Sequence, residues 1–309
     1  MSDRKAVEIQ NLAFIYECNL KYLPENLREL DAIDIESVRK AEIDPKLKAL
    51  SDISLKIEKG EFIGLVGNTG SGKSSLVRTL NGLIPKFYNG LFFGYVHIGD
   101  KDTVEFDIPE LSLEVGVMFQ NPENQLIAMT VEREIAMGLE NRGVNRKKIR
   151  DKIDEVLSYM GIEHLRKRRP YELSGGEQQK VAIASILAIE PDIIVLDEPT
   201  AALDPIAAQN IILLVEKLQR EQGLTVIVIE HRLQMILEHC DRLMIMREGE
   251  VIAFDDVNTI MNEDMIYETG IEVPEFCVFF KNLRDQGVYC GDIPTDLDNA
   301  SKKLMEMLG

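Results

Sequence analysis

GNTGSGKS, residues 67–74, is the stretch that decides the fold of this 309-residue chain. It matches the pattern GxxxxGK(S/T) and stands between the apolar run FIGLV and a segment typical of a helix. Glycines let backbone N–H groups wrap the phosphates of a nucleotide, and the helix N-terminus adds its positive dipole end. We therefore expect Lys73 to bind the β- and γ-phosphate oxygens and the Ser74 hydroxyl to ligate Mg²⁺. The predicted nucleotide-binding residues here are Gly67, Asn68, Thr69, Gly70, Ser71, Gly72, Lys73, Ser74 and Ser75.

A second apolar run, IIVLDE at residues 193–198, ends in two acidic residues. A buried strand would deliver both carboxylates to the edge of the sheet at which nucleotides bind. We expect Asp197 to hold Mg²⁺ through water and Glu198 to orient or deprotonate the attacking water. Two acids after an apolar strand are often only a strand end with a helix cap. The preceding phosphate loop favours the functional interpretation.

The rest of the chain alternates apolar strands with helical segments, which indicates an α/β fold with a parallel sheet covered on both faces. Residues 6–16 predict a strand, whereas residues 17–50 are charge-rich and predict an insertion with its own short helix. The segments FFGYVHI, VEF and EVGVMF, within residues 92–119, predict two or three strands. A helix is expected from about Gly176 to Ile189. The residues from Gly270 onward look like a small appended subdomain.

A second glycine pair opens the segment LSGGEQQKVAIASILAIEPDIIVLDEPTAALD, residues 173–204. This arrangement resembles the ATP-binding-cassette (ABC) ATPases, whose signature begins LSGG and precedes the Walker B strand by one helix. The resemblance covers most of residues 6–255 and implies a P-loop NTPase of ABC type. Such a fold has a RecA-like parallel-sheet core, an antiparallel β subdomain and a helical signature subdomain, here at about residues 121–172. Residues 1–255 would then form the ATPase domain and residues 256–309 a small C-terminal extension.

The same resemblance assigns residues outside the two Walker motifs. Gln120 stands where the family has the Q-loop glutamine, which contacts Mg²⁺ and the attacking water. His231 follows the apolar strand TVIVIE, in the place of the switch histidine that bonds the γ-phosphate, and Asp204 ends the D-loop AALD at the dimer seam. A lone histidine after a strand is usually a surface residue, but the order of motifs favours function. The predicted catalytic residues are Glu198, His231 and Gln120, and the predicted metal ligands are Ser74, Gln120 and Asp197.

An aromatic residue before the phosphate loop stacks on adenine in the family. Tyr16 fits this position, with Phe14 as the competing residue. Residues 17–50 lengthen the spacer to the phosphate loop well beyond the usual size, and a role in the core remains an alternative for either aromatic side chain.

Ser174, Gly175 and Gly176 form a second phosphate cradle that has no lysine of its own. The resemblance implies that these residues face away from the ATP of their own chain and bind the ATP of a second subunit. Glu177 stands where glutamine is commoner in the family, and Lys180 where arginine is commoner. An acid near a triphosphate repels it, although a solvated carboxylate is screened. Neither change removes a phosphate-contacting group, so we expect an active site.

Three segments narrow the resemblance to energy-coupling factor (ECF) ATPases and cobalt or nickel importer subunits. They are GLIPKFYNGLFFGYVHIGDKDT, FQNPENQLIAMTVEREIAMGLENRGV and GIEVPEFCVFFKNL, at residues 82–103, 119–144 and 270–283. The resemblance implies two ATPase subunits, identical or homologous, with an integral membrane coupling subunit and a substrate-binding membrane component. Such a complex imports a vitamin or a transition-metal ion, and its ATPases sit at the cytoplasmic face of the membrane. The C-terminal extension of that group contributes to ATPase dimerisation.

The composition limits the binding partners and the cell compartment that we expect for the protein. A net charge of −18 argues against nucleic acid as a main partner. No run approaches the roughly 18 apolar residues of a membrane span, and the first ten residues lack the apolar stretch of a signal peptide. We expect a cytosolic chain that reaches a membrane through another protein. The four cysteines form no CxxC pair and predict free, mostly buried thiols; they are Cys18, Cys240, Cys277 and Cys290.

The alternatives are a conventional ABC importer or lipid-exporter ATPase, a soluble ABC protein acting in DNA repair or on ribosomes, and a GTPase. DNA-repair members carry long coiled coils between the two halves, and ribosomal members carry two cassettes. Neither feature occurs in this sequence, and neither does the NKxD motif of a GTPase.

Overall fold

The computed structural model describes residues 5–23 and 47–308, and within them it contains a six-stranded sheet, a four-stranded sheet and surrounding helices. The strands are β1 (Lys5–Tyr16), β2 (Leu50–Glu58), β3 (Phe62–Gly67), β4 (Gly90–Ile98), β5 (Lys101–Asp102), β6 (Val115–Met118), β7 (Ile193–Asp197), β8 (Thr225–Ile229), β9 (Arg242–Arg247) and β10 (Glu250–Asp256). The α-helices are α1 (Lys73–Leu80), α2 (Leu83–Lys86), α3 (Ile108–Leu111), α4 (Val131–Asn141), α5 (Arg146–Met160), α6 (Gly175–Leu187), α7 (Pro205–Gln222), α8 (Val257–Asn262), α9 (Met265–Glu268), α10 (Glu275–Asp285) and α11 (Leu297–Leu308).

The six-stranded sheet has the order β10-β9-β3-β8-β7-β6, and every neighbouring pair is parallel except β9 and β10. Successive side chains of β8 point to opposite faces. Val226 and Val228 join a hydrophobic cluster with α6 and α7, whereas Ile227 and Ile229 pack with α1 and the four-stranded sheet. The predicted parallel core, covered on both faces, is therefore confirmed. The four-stranded sheet forms part of the layer that covers one face of the six-stranded sheet.

The four-stranded sheet has the order β2-β1-β4-β5 and is antiparallel throughout, which confirms the predicted antiparallel subdomain. The strand predicted at VEF, residues 104–106, is wrong. The side chain of Asp102 accepts a hydrogen bond from the backbone N–H of Val104 at 2.8 Å, and its carbonyl accepts one from Phe106 at 3.1 Å. These local bonds turn the chain away from the sheet.

Helices α4 and α5 pack against α6, the helix that follows the glycine pair. The side chain of Asn145 accepts from the backbone N–H of Lys147 at the start of α5, and Gly161 ends the helix with a φ of +65°. The helix predicted at Gly176–Ile189 is α6. The segment predicted to be an insertion begins with a 3-10 helix at Glu17–Tyr22. Its residues 24–46 lie outside the described residues, so the short helix predicted for the insertion stays a prediction there.

The C-terminal helices share the main core. Phe280 of α10 and Ala300 of α11 belong to the same hydrophobic cluster as β8 and α7, and the ring of Phe280 meets that of Tyr289 edge-on at 5.0 Å. The extension predicted from Gly270 is thus packed on the main hydrophobic core. In the described part of the chain, no helix is both long and apolar enough to cross a membrane.

The prediction that the thiols are mostly buried is wrong for two of the four cysteines. All four are free, but Cys18 and Cys290 are exposed, whereas Cys277 is buried and Cys240 is partly covered. Burial raises the pKa of the Cys277 thiol to about 12 and raises that of Cys240 as well. The thiols of Cys277 and Cys240 therefore behave as apolar packing.

Candidate active site

The loop after β3 has a shape that only glycine permits at two positions. Gly67 and Gly72 have φ values of +155° and +102°, and a Cβ atom would lie 2.3 Å from the Met246 carbonyl oxygen at the first and 2.7 Å from that of Ala49 at the second. The hydroxyl of Ser71 is buried here with no hydrogen-bond partner in the described structure. A buried polar group without a partner is rare and costly, so this loop suits a polar ligand such as a phosphate.

Lys73 lies at the centre of the loop and is only 7% exposed. Its Nζ donates hydrogen bonds to the carbonyl oxygens of Gly67 at 2.7 Å and Asn68 at 3.1 Å. Burial lowers the pKa of Lys73, while the negative charges of Glu198 and Asp197 act in the opposite direction. Phosphate oxygens would give this ammonium group charged acceptors in place of the neutral carbonyls, and charge-assisted bonds are stronger.

Ser74 and Asp197 lie together beside the lysine. The Ser74 hydroxyl donates to Oδ2 of Asp197 at 3.3 Å. Burial and the neighbouring charge of Glu198 raise the pKa of Asp197, so this carboxylate gains from a cation. Within the described residues, no group of three or more His, Cys, Asp or Glu side chains is arranged to hold a metal. The hydroxyl of Ser74 and the carboxylate of Asp197 are oxygen ligands of the kind that Mg²⁺ prefers, since this ion binds proteins through one or two such ligands and completes its shell with water and phosphate.

The three predicted catalytic residues lie together, with Glu198 bonded to the other two. Gln120, after β6, donates from Nε2 to Oε2 of Glu198 at 2.6 Å, and His231, after β8, donates from Nε2 to Oε1 at 2.8 Å. Glu198 adopts a φ of +51°, an uncommon value for a non-glycine residue, and its backbone N–H donates to the Ile229 carbonyl at 3.0 Å. That backbone bond helps to hold the carboxylate between Gln120 and His231.

Tyr16 and Phe14 occupy different environments. The Tyr16 hydroxyl is hydrogen-bonded to Oγ of Ser75 at 2.9 Å and accepts from Arg78 at 3.3 Å, next to the phosphate loop. Phe14 is fully buried in the core between the sheets. The long spacer therefore still brings Tyr16 to the site, and its adenine contact stays a prediction. Sequence analysis missed Arg78 and Tyr88; the Arg78 guanidinium lies 4.5 Å from the centre of the Tyr88 ring.

The second glycine pair packs against the D-loop. Ser174 is the N-cap of α6, and a Cβ atom on Gly175 would lie 3.4 Å from the side chain of Leu203. No hydrogen bond in the described structure joins residues 174–176 to the 67–74 loop. Asp204, predicted to line the dimer seam, also caps α7, because Oδ1 accepts from the backbone N–H groups of Ile206 and Ala207, each at 3.0 Å.

A buried network that sequence analysis missed links Thr200, directly before the AALD segment, to the two residues that flank His231. Oε1 of Glu230 accepts from the Thr200 hydroxyl at 2.6 Å and from its backbone N–H at 3.1 Å, and Arg232 donates to the Thr200 hydroxyl at 2.7 Å. Burial raises the pKa of Glu230. These bonds flank His231 on both sides. The only signal in the sequence is an acid placed directly before that histidine.

Comparison with known proteins identifies the family of the chain. A family profile described as "ABC transporter" matches residues 50–201. The energy-coupling factor transporter ATP-binding protein EcfA1 of Caldanaerobacter subterraneus is 38% identical over 250 residues, which cover 80% of this chain and 87% of that protein. The chain belongs to the ABC transporter ATPase family. This family hydrolyses ATP, and the relative named above is a transporter ATP-binding protein.

Two solved ABC ATPase structures are also similar. One is cbiO1 from Clostridium perfringens, described as part of the ABC transporter complex cbiONQ, with a TM-score of 0.69, 27% identity and coverage of 90% of this chain and 99% of that chain. The other is a dimeric ATP-binding cassette in a post-hydrolysis state bound to ADP and Pi, with a TM-score of 0.64, 28% identity and coverage of 81% and 98%. Both confirm the ABC fold expected from the signature.

Replacing Glu198 by glutamine should abolish ATP turnover and leave ATP binding intact. The amide can still bond to Gln120 and His231 but cannot take a proton, so kcat should fall by about 100-fold or more. Steady-state hydrolysis and nucleotide-binding assays measure the two effects separately. The matched control is Glu155→Gln, a change at an exposed carboxylate on α5 that should leave turnover unchanged. Near-normal hydrolysis by Glu198→Gln would contradict its role as the base.

Tyr16→Ala and Phe14→Ala should affect different properties of the protein. Tyr16→Ala should weaken ATP binding several-fold and change the unfolding free energy little. Phe14→Ala should lower the unfolding free energy by about 3–5 kcal/mol, because it empties a buried aromatic site. ATP titration and urea unfolding of both variants distinguish these outcomes. Equal ATP affinity in wild type and Tyr16→Ala would exclude the proposed adenine contact.

Proposed function

We propose that this chain is the ATP-hydrolysing subunit of an ECF-type import complex, which couples ATP-driven closure of two subunits to uptake of a vitamin or a transition-metal ion. The observation that carries the hydrolytic part is the pair of hydrogen bonds from Gln120 and His231 to the Glu198 carboxylate. The ECF assignment is supported by similarity to a transporter ATP-binding protein of that type and to cbiO1. A conventional ABC transporter ATPase is the alternative.

The residues of the loop and strand ends divide the work of hydrolysis. Lys73 and the loop N–H groups bind the β- and γ-phosphates and counter their charge. Mg²⁺, held by Ser74 and Asp197, would neutralise charge on the phosphate oxygens when bound. Glu198 orients the attacking water and accepts its proton. The imidazole of His231 holds that carboxylate in place and then bonds the γ-phosphate, while Gln120 reports the state of the nucleotide to the transport partner.

A second ATPase subunit completes each site in this proposal. Ser174, Gly175 and Gly176 make no hydrogen bond to the phosphate loop of their own chain, and Ser174 and Gly175 are exposed. They are therefore available to the ATP that a second copy or a homologue holds. The similarity to a dimeric cassette supports this arrangement. Closure of the pair around two ATP molecules, and opening after hydrolysis, would be the motion that drives transport.

Exposed apolar side chains near Gln120 support a membrane partner. Ile127 and Met129 are 73% and 64% exposed, and Phe119 is also exposed, in the segment that joins β6 to α4. Such a group of exposed apolar side chains is typical of a protein–protein contact. We propose that it receives the membrane coupling subunit, so that a change at Gln120 is passed on directly. The ATPase would then lie at the cytoplasmic face of the membrane.

A mixing experiment tests the shared site. Lys73→Ala and Ser174→Arg should each abolish hydrolysis, the second without weakening ATP binding to the monomer. A mixed dimer has one complete site, formed by Lys73 of one chain and Ser174 of the other. Mixing should restore roughly a quarter of wild-type activity, because half of randomly formed dimers are mixed and each has one of two sites. No recovery, although mixed dimers form, would contradict the shared site.

A capture experiment tests the transport function. Tagged Glu198→Gln, recovered from native membranes with ATP, should bring down an integral membrane coupling subunit and a small substrate-binding membrane protein. The matched control adds Ile127→Glu and Met129→Glu, which should remove the membrane proteins but leave ATP-dependent dimerisation unchanged. Recovery of ribosomes or DNA in place of membrane proteins would favour a soluble ABC protein.

A further inference from the structure

The hydroxyl group of the signature serine is fully engaged within its own helix cap. Ser174 donates from Oγ to Oε2 of Glu177 at 2.8 Å, and its backbone N–H donates to the same oxygen at 2.8 Å. The capping box also uses Oγ as the acceptor for the backbone N–H of Glu177. A hydroxyl carries one hydrogen. Ser174 therefore has no hydrogen left to donate to a phosphate oxygen.

The acceptor is a carboxylate, which makes this bond hard to release. The two hydrogen bonds from Ser174 lower the pKa of Glu177, so the group is ionised at neutral pH. An ionised carboxylate accepts hydrogen bonds and cannot donate one, and charge-assisted bonds are about twice as strong as neutral ones. The Ser174 hydrogen must stay directed at Glu177 for as long as this bond persists.

We propose that Glu177 is a positioning residue that restrains the signature serine and opposes ATP-driven closure. This inference rests on the shared site of the proposed function. For Ser174 to donate to the γ-phosphate of the partner subunit's ATP, its hydroxyl must first rotate away from the Glu177 carboxylate. Breaking that bond costs free energy, so closure of the two subunits around ATP becomes less favourable. Two subunits with bound ATP should then associate less tightly than they would if the Ser174 hydroxyl were free to donate.

Glutamine at this position would relax the restraint without removing the cap. An amide oxygen accepts from the Ser174 backbone and hydroxyl as a neutral group, and the amide nitrogen can donate to Oγ and leave the hydroxyl hydrogen free. Glutamine also serves as the third helical residue of a capping box. Glu177→Gln should therefore fold as the parent does, which a thermal unfolding scan checks.

The test measures ATP-dependent dimerisation of the full chain in the Glu198→Gln background. Adding Glu177→Gln should lower the dimer dissociation constant by about tenfold, from the difference between a charged and a neutral hydrogen bond. In wild-type background it should lower KM for ATP with little change in kcat. Adding Ser174→Ala should remove the effect, because no hydroxyl remains to be released. Glu177→Ala, which removes the acceptor, should also tighten the dimer provided that it folds.

Three results would overturn the inference. An unchanged dissociation constant in Glu177→Gln would show that the bond does not oppose closure. An equal gain in the Ser174→Ala background would show that Glu177 acts by charge repulsion alone. Failure of Glu198→Gln to dimerise with ATP, together with no recovery on mixing Lys73→Ala and Ser174→Arg, would instead refute the shared site on which the inference rests.

Discussion

Ile229 pairs with Leu65 of β3 on one side and with Asp197 of β7 on the other, so the carboxyl ends of three buried parallel strands meet at the same edge of the sheet. The phosphate loop leaves β3 there, and the acidic pair and the switch histidine leave β7 and β8. The register depends on the apolar side chains of these strands, which are buried on both faces. A one-residue slip would turn each buried side chain to the opposite face and would move the carboxylates away from Lys73.

The site places one buried ammonium group beside two carboxylates. Lys73 is nearly buried beside two carboxylates, and burial shifts the pKa of Asp197 upward while it shifts that of Lys73 downward. A nucleotide phosphate would pair with the ammonium group of Lys73, and a divalent cation would pair with the carboxylates. The buried Ser71 hydroxyl, which has no partner in the described structure, can donate to a phosphate oxygen and points the same way. The loop is thus organised for a ligand that supplies both negative charge and a cation, as ATP with Mg²⁺ does.

The capping box formed by Ser174 and Glu177 distinguishes the glycine pair at 175–176 from the loop at residues 67–74. Lys73 is positioned by its own loop carbonyls, whereas Ser174 is tied to a carboxylate three residues further along the chain. The residue at 177 is therefore more than a surface variation on the family pattern. The same capping box stabilises α6 and occupies the Ser174 hydroxyl. If Ser174 binds the ATP of a second subunit, as we propose, helix stability and ATP binding oppose each other at this position.

The sequence by itself determined several features that depend on local backbone, although it did not reveal the turn at residues 104–106. The GNTGSGKS loop, the helix after the LSGG signature and the buried strands β7 and β8 follow from glycine placement and apolar runs, and the structure has them where they were expected. Gln120 and His231 were named by resemblance. Tertiary structure alone decided that both bond to Glu198, that Tyr16 and not Phe14 reaches the phosphate loop, and that Thr200, Glu230 and Arg232 form one network. These contacts join residues about 30 to 80 positions apart, and their geometry depends on strand register and side-chain packing, which no short stretch of sequence encodes.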